Sequence, residues 1–218
     1  MIENASGLVL RTRPLTESSL IVNWLTSDFG RLATVAKGAL RPKSPFRGKL
    51  DVFYTADFSF QRSSRSELHN LREVSLLETH PALRQELGYL RQAAYCANLL
   101  EQTTETETPL PGLFDLVSGL LAHLPKLPPQ PQTIFAFELK LLAELGLAPD
   151  LDTVKASGGA RQLMKVLSQS EWPLIGRLRP SPAQSTELRQ FLHGFLIYHL
   201  GREPKGRAAA LGAGAADY

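Results

Sequence analysis

The sequence predicts an α+β chain: a small N-terminal β-barrel followed by an all-α helical region. Three observations carry this reading. Up to about residue 78, short runs rich in Val, Leu, Ile, Phe, Thr and Tyr alternate with turn chemistry. From Pro81 onward, apolar residues recur at spacings of three and four. The excess of positive charge lies wholly in the first part.

The strand-like runs are 7–13, 19–26, 31–37, 50–61 and 67–77, with turns at Pro14-Leu15-Thr16, Ser27-Asp28-Phe29-Gly30 and Ser63-Ser64. Tyr54, Ala56, Phe58 and Phe60 alternate with polar or smaller neighbours and share one face. The last run alternates less cleanly. Five short strands in about 75 residues fit a closed barrel, because closure removes exposed edges. An oligonucleotide-binding barrel is the best candidate and an SH3-like barrel the second.

Beyond the barrel, Leu83, Leu87, Leu90, Ala94 and Ala97 place an amphipathic helix at 82–103, with Pro81 in its first turn. A polar patch at 102–108, then Pro109 and Pro111, separates it from a helix at 112–124. Leu127-Pro128-Pro129-Gln130-Pro131 is a joint before a helix at 132–145, which Gly146 caps. Ser157-Gly158-Gly159 leads into a helix at 160–169. Ser181-Pro182-Ala183-Gln184 is a capping box that opens a last helix to about 200. The expected organisation is a barrel at 1–80, a helical domain at 81–204 and a flexible tail at 205–218, mostly alanine and glycine from 208.

Net charge is +3, and residues 1–80 hold 11 basic and 8 acidic side chains, so the excess is theirs. Residues 31–49 contain Arg31, Lys37, Arg41, Lys43, Arg47 and Lys49 and no acid. Pro42 and Pro45 forbid ladder pairing there, which puts the cations on a loop suited to neutralising phosphates. Phe46 is expected to pack on the barrel rather than stack on a base. This asymmetry points to a polyanion.

Other chemistry is missing. There is no phosphate-binding loop and no strand–GxGxxG–helix fingerprint. The five histidines show no HExxH spacing, and Cys96 stands alone inside a helical pattern. Asp51 and Asp57 share a face of one expected strand and read as solvated carboxylates. No run approaches a membrane span, and the N-terminus lacks the pattern of a secretory signal. The reading is a cytosolic protein that is not an enzyme, with no metal and no cofactor.

Several ordered blocks are familiar. The stretch from Gly7-Leu8-Val9-Leu10-Arg11-Thr12-Arg13 to Ile21-Val22, and then Leu32-Ala33-Thr34-Val35-Ala36-Lys37-Gly38-Ala39-Leu40-Arg41-Pro42-Lys43-Ser44, resembles the N-terminal domain of the bacterial RecO family of DNA repair proteins. Leu68-His69-Asn70-Leu71-Arg72-Glu73-Val74 is similar to its last barrel strand. The run from Phe137-Glu138-Leu139-Lys140 to Leu145-Gly146-Leu147-Ala148-Pro149-Asp150-Leu151 is similar to its helical core motif.

The resemblance implies an oligonucleotide-binding barrel joined to a helical domain. It implies a recombination mediator of the RecF pathway that binds single- and double-stranded DNA, anneals complementary strands and assists RecA loading. The implied partners are RecR and the acidic, apolar C-terminal tail of single-stranded DNA-binding protein. Many members carry a four-cysteine zinc module after the motif that ends at Leu151. Residues 152–159 hold no cysteine, so a tetrahedral zinc site is not expected.

Candidate DNA-binding residues are Arg11, Arg13, Arg31, Lys37, Arg41, Lys43, Arg47 and Lys49. A peptide receptor needs an apolar notch beside a cation. Phe135, Leu139 and Leu142 with Lys140 are one candidate, and Arg84, Arg91, Arg161 and Lys165 supply further cations on the helical region. The alternative to a DNA-annealing protein is a barrel that serves as a protein-interaction adaptor, its nucleic-acid contact incidental.

Overall fold

Five strands close on themselves in the first part of the chain: β1 (Ile2–Pro14), β2 (Leu20–Thr26), β3 (Gly30–Ala36), β4 (Thr55–Gln61) and β5 (Leu68–Glu78). Their order around the barrel is β1-β2-β3-β5-β4. Only β3 and β5 run parallel; every other neighbouring pair is antiparallel. This is the Greek-key order of an oligonucleotide-binding barrel. The computed structural model describes residues 1–212.

β1 serves two ladders, pairing its first half with β4 and its second with β2, with a bulge between Val9 and Arg11. Gly7 sits where both ladders meet. A Cβ there would lie 3.0 Å from Leu25 O, Thr26 Cγ2 and Phe58 Cε1 alike, so no side chain fits without movement. Inside, Trp24 stacks on Phe58 at 4.2 Å between centroids, and its Nε1 donates to Thr34 Oγ1 at 2.9 Å. Val9, Val22, Leu32, Phe60, Leu71 and Val74 complete the core with them.

Two departures from simple alternation have local causes. β4 begins at Thr55 rather than 50, because Phe53 takes a positive φ of 67° while its amide donates to Val9 O. Asp51 therefore precedes the strand that carries Asp57. In β5 a register shift opposite Ser59 and Phe60 lets both Leu71 and Val74 face inward, with Arg72 the extra residue.

The chain forms two compact units: Met1–His80 with Thr104–Asp115, and Pro81–Thr103 with the chain from Leu116 onward. Residues 104–108 of the polar patch expected to separate two helices thus belong with the barrel. The second unit contains α1 (Leu87–Thr103), α2 (Pro111–His123, from residue 116), α3 (Pro131–Glu144), α4 (Gly158–Gln169), α5 (Trp172–Ile175), α6 (Pro182–Leu200) and α7 (Arg207–Ala210).

The helix expected from 82 is a 3₁₀ turn at Pro81–Arg84 followed by α1. Its buried face is Ala93, Cys96, Ala97 and Leu100, whereas Leu87 and Ala94 are exposed. The stripe is offset from the expected one, and at its start Gly88 packs under Pro129, whose Cγ would be 2.4 Å from a Cβ at that position. The Ser181 capping box forms with both of its hydrogen bonds, and Gly146 ends α3 in the left-handed region. None of the described helices is long and apolar enough to cross a membrane.

The expected flexible tail from 205 needs correction. Arg207 is 3% exposed and grips Glu138, itself fully buried on α3, through Nε at 2.7 Å and Nη2 at 3.0 Å. Tyr95 donates its hydroxyl to the same carboxylate. Burial works against the Arg207 charge, but the Glu138 hydrogen bonds outweigh it and hold the guanidinium pKa above its ordinary value. Burial and the same carboxylate push the Tyr95 phenol well up, so it stays a donor. Residues 213–218, the rest of that expected tail, lie outside the described residues.

Arg207→Ala is expected to destabilise the helical unit by about 3–5 kcal/mol, because it leaves Glu138 buried without its cation. Denaturant unfolding of the full chain, followed by helical ellipticity, checks this. An unchanged midpoint would show that the pair does not hold the segment.

Candidate nucleic-acid interface

The segment from Lys37 to Tyr54 links β3 to β4 as a chain of tight turns. Arg41, Ser44, Arg47 and Lys49 donate their amides to Gly38, Arg41, Ser44 and Phe46 carbonyls in succession. Phe46, 7% exposed, anchors the segment in the barrel core. Base stacking by Phe46 is therefore excluded, as expected from the sequence. Leu40 N donates to Ser18 O and Gly38 N to Ser19 Oγ, which ties the loop to the β1–β2 hairpin. A groove of about 370 Å³ on this loop is lined by Leu20, Phe46 and Leu50 together with Arg41 and Arg47.

The eight candidate cations divide into two classes. Lys37, Arg41, Lys43 and Arg47 are exposed on this ordered loop, and Arg11 and Arg13 are exposed on β1. Arg47 Nη1 donates to Pro42 O at 3.1 Å, a local bond that leaves the side chain at the surface. Lys49 is half-buried, with Nζ donating to Val74 O at 2.9 Å. Arg31 is half-buried too, and its guanidinium donates to the Thr104 carbonyl. These last two hold the barrel together. Arg65, in the β4–β5 loop, is exposed and escapes a reading of the sequence that looks only for clustered charge. Its position in a loop that such barrels use for oligonucleotides is the signal that could have found it.

A separate wall of the barrel carries the opposite sign. Cross-strand rows place Ser6, Asp57 and Ser75 side by side, and Asn4, Ser59 and Glu73 beside them. With Asp28 they line an open groove of about 460 Å³. The barrel is thus electrically polarised, with basic loop and acidic wall on one scaffold.

The β3–β5 seam closes through only three residue rows, Ala33 to Val35 against Leu68 to Asn70. Where that ladder stops, Thr106 bridges to Arg31 and Glu107 N donates to Arg31 O at 2.8 Å. Arg62 joins the Glu107 carboxylate to Glu3, with Nε 2.7 Å from Glu3 Oε1. His69 is buried beside them. Its Nδ1 accepts from Ser63 N at 3.2 Å, so Nε2 carries the proton and donates to Glu107 Oε1 at 2.8 Å. Arg62 also lies over the Phe29 and Phe60 rings.

On the helical unit, the candidate notch is closed. Phe135, Leu139 and Leu142 are core residues, and Lys140 Nζ donates to Ser168 O at 3.1 Å while burial lowers its pKa. Arg84, Arg91, Arg161 and Lys165 are exposed. Cys96 is buried, and burial pushes its thiol well up, away from reactivity. Among the described residues no three His, Cys, Asp or Glu side chains stand together as metal ligands. In the segment around Leu151, which holds no cysteine at 152–159, Asp150 Oδ1 accepts from Asp152 N and Ser157 caps α4.

Known proteins share this arrangement in sequence. Residues 1–80 match the family "Recombination protein O N terminal" and residues 84–158 match "Recombination protein O C terminal". A DNA repair protein RecO of Exiguobacterium sibiricum is 35% identical over 207 residues, covering 93% of this chain and 82% of the relative. The chain belongs to the RecO family. Anaeromyxobacter sp. (strain K) has a RecO 34% identical over 93% of both chains, and Pelotomaculum thermopropionicum one 29% identical over 98% of both. The RecO assignment fixes the coarse role, DNA repair and recombination, on a barrel of the expected kind.

The Glu3–Arg62 pair gives the RecO barrel a pH signature. The Arg62 hydrogen bond holds the Glu3 carboxyl below its ordinary 4.5. A depressed folded pKa means stability present above that ordinary value and lost as pH falls through the folded one. Barrel stability is therefore expected to decline below about pH 4.5, and Glu3→Gln is expected to reduce that acid dependence. Thermal melts of both proteins between about pH 6 and about pH 3 check this, and identical pH profiles would show that the pair carries none of it.

Proposed function

We propose that the chain binds single-stranded DNA, anneals complementary strands and assists RecA loading in the RecF pathway. The observation that carries this is the ordered basic loop, whose Lys37, Arg41, Lys43 and Arg47 stand in solvent with no acid between residues 29 and 50. Cations fixed in this way neutralise phosphates and release counterions without reading bases. Arg11 and Arg13 extend the track along β1. The acidic wall that includes Asp57 and Glu73 repels a second polyanion and confines DNA to the basic side.

Annealing follows from the same physics. Two strands repel through their phosphates, and a protein that neutralises both lets complementary bases meet. Every Phe, Tyr and Trp ring of residues 1–80 is buried or packed against the barrel core, so the barrel meets backbone and leaves bases free to pair. The role is non-enzymatic, since pairing breaks no covalent bond. Duplex DNA presents the same phosphates and binds the same loop. Family membership supports RecR and the acidic tail of single-stranded DNA-binding protein as partners, the tail on the helical unit near exposed Arg91, Arg161 or Lys165. A cytoplasmic, nucleoid-associated location goes with this role.

Replacing Lys37, Arg41, Lys43 and Arg47 with Ala together is expected to weaken single-strand binding and lower its log–log salt slope by about 0.7 for each phosphate no longer neutralised. The annealing rate should fall with it. The melting temperature should change little, because these side chains are exposed. Fluorescence anisotropy with a labelled strand at several salt concentrations measures both quantities. Wild-type affinity and slope in the quadruple variant would assign binding elsewhere.

A further inference from the structure

The helical unit carries what the barrel lacks, an open aromatic face. On α6, Phe191, Phe195 and His199 follow at intervals of one turn, with ring centroids 5.5 Å and then 4.5 Å apart. Tyr198 stands edge-on to His199 at 5.1 Å. It is 83% exposed, and every other Phe, Tyr or Trp among the described residues is buried or half-buried. Gly194, one turn earlier, keeps the flank low, since nothing lies within 4 Å of where its Cβ would be.

Two cations and one acid follow the shelf in the chain. α6 ends at Gly201, which takes a φ of 70° and donates its amide to Ile197 O at 2.8 Å. That turn is followed by exposed Arg202 and Lys205. Glu203 faces away, its carboxylate 3.6 Å from Nδ1 of His193, which lies about 200° around the helix from Phe191. Glu187, the nearest acid on the shelf's own side, is about 16 Å below Tyr198 along the axis. It already accepts from Ser157 N and Oγ at 2.8 and 3.0 Å.

Rings in a row beside cations, with the acids engaged elsewhere, meet both requirements of a single-strand platform: a π-face for bases and positive charge for the backbone. We propose that the Phe195–Tyr198–His199 shelf with Arg202 is a second nucleic-acid site, one that stacks unpaired bases. It rests on the reading that the protein binds single strands. The two sites divide the work: the loop holds any phosphate backbone, and the shelf selects strands whose bases are unpaired. A duplex keeps its bases stacked on one another and offers the shelf nothing to stack.

The test compares full-length wild type with Tyr198→Ala/His199→Ala and with Tyr198→Trp, on a labelled single strand and its duplex. The double variant is expected to lose about tenfold in single-strand affinity, with duplex affinity and salt slope unchanged. Tyr198→Trp should retain affinity, and its added fluorescence should be quenched by single strand but not by duplex. Trp24 and Trp172, the other two, are buried and should report little. Equal loss on both DNAs, or no loss on the single strand, overturns the shelf while leaving the loop reading intact. A dimer that dissociates in the double variant would also overturn it, reassigning the face to a second copy. A wild-type protein that binds no single strand removes both readings.

Discussion

Closure of the barrel at its β3–β5 seam is the constraint on which the rest depends. Four of the five strand junctions are antiparallel ladders of seven rows, but this parallel one has three. Parallel pairs cannot be joined by a hairpin, so the chain between β3 and β5 must travel. It does so through the basic loop and β4. The short ladder leaves the Arg31 end of β3 without a strand partner on that side, and the return of residues 104–108 fills the place. Arg62, His69, Glu3 and Glu107 clamp that return with charged hydrogen bonds in a partly buried site, where such bonds are stronger than in water.

The division of the cations follows from this closure. Arg31 and Lys49 both reach backbone carbonyls on neighbouring elements, Thr104 and Val74, and stabilise the barrel. The other four on the loop stand outward from a backbone fixed by Phe46. A rigid loop loses less entropy on binding than a floppy one, so each neutralised phosphate contributes more. The rings that fill the barrel are of the kind an oligonucleotide-binding surface exposes when it stacks bases. In the proposed role their burial makes the barrel a reader of backbone, and open aromatic surface is left to α6.

Much of this was legible in the sequence, for reasons of range. The alternation through Phe60, the Ser181 box and the Gly146 stop are local signals, and each produced its element. The inward anchor at Phe46 followed from an apolar ring among prolines and cations. Three misreadings involve partners far along the chain. Arg31 looks like the candidate cations of the loop until Thr104, 73 residues on, accepts its hydrogen bond. Residues 102–108 read as a polar spacer because Glu107 has no visible partner until Arg62 and His69 are folded beside it. Arg207 lies in an alanine- and glycine-rich stretch, and nothing nearby announces a buried Glu138, 69 positions earlier. The Phe195–His199 shelf was hidden by a helix whose apolar residues occur on both sides.

If DNA follows the basic loop and avoids the acidic wall of the same barrel, the two faces must respond differently when a strand binds. Amide hydrogen exchange of the full-length protein, with and without a saturating single strand, tests this most directly. Exchange should slow across residues 37–49 and around Arg11 and Arg13, with no change at Asp57 to Ser59 or Glu73 to Ser75. Protection centred on the β4–β5 wall, with the loop unchanged, would contradict it.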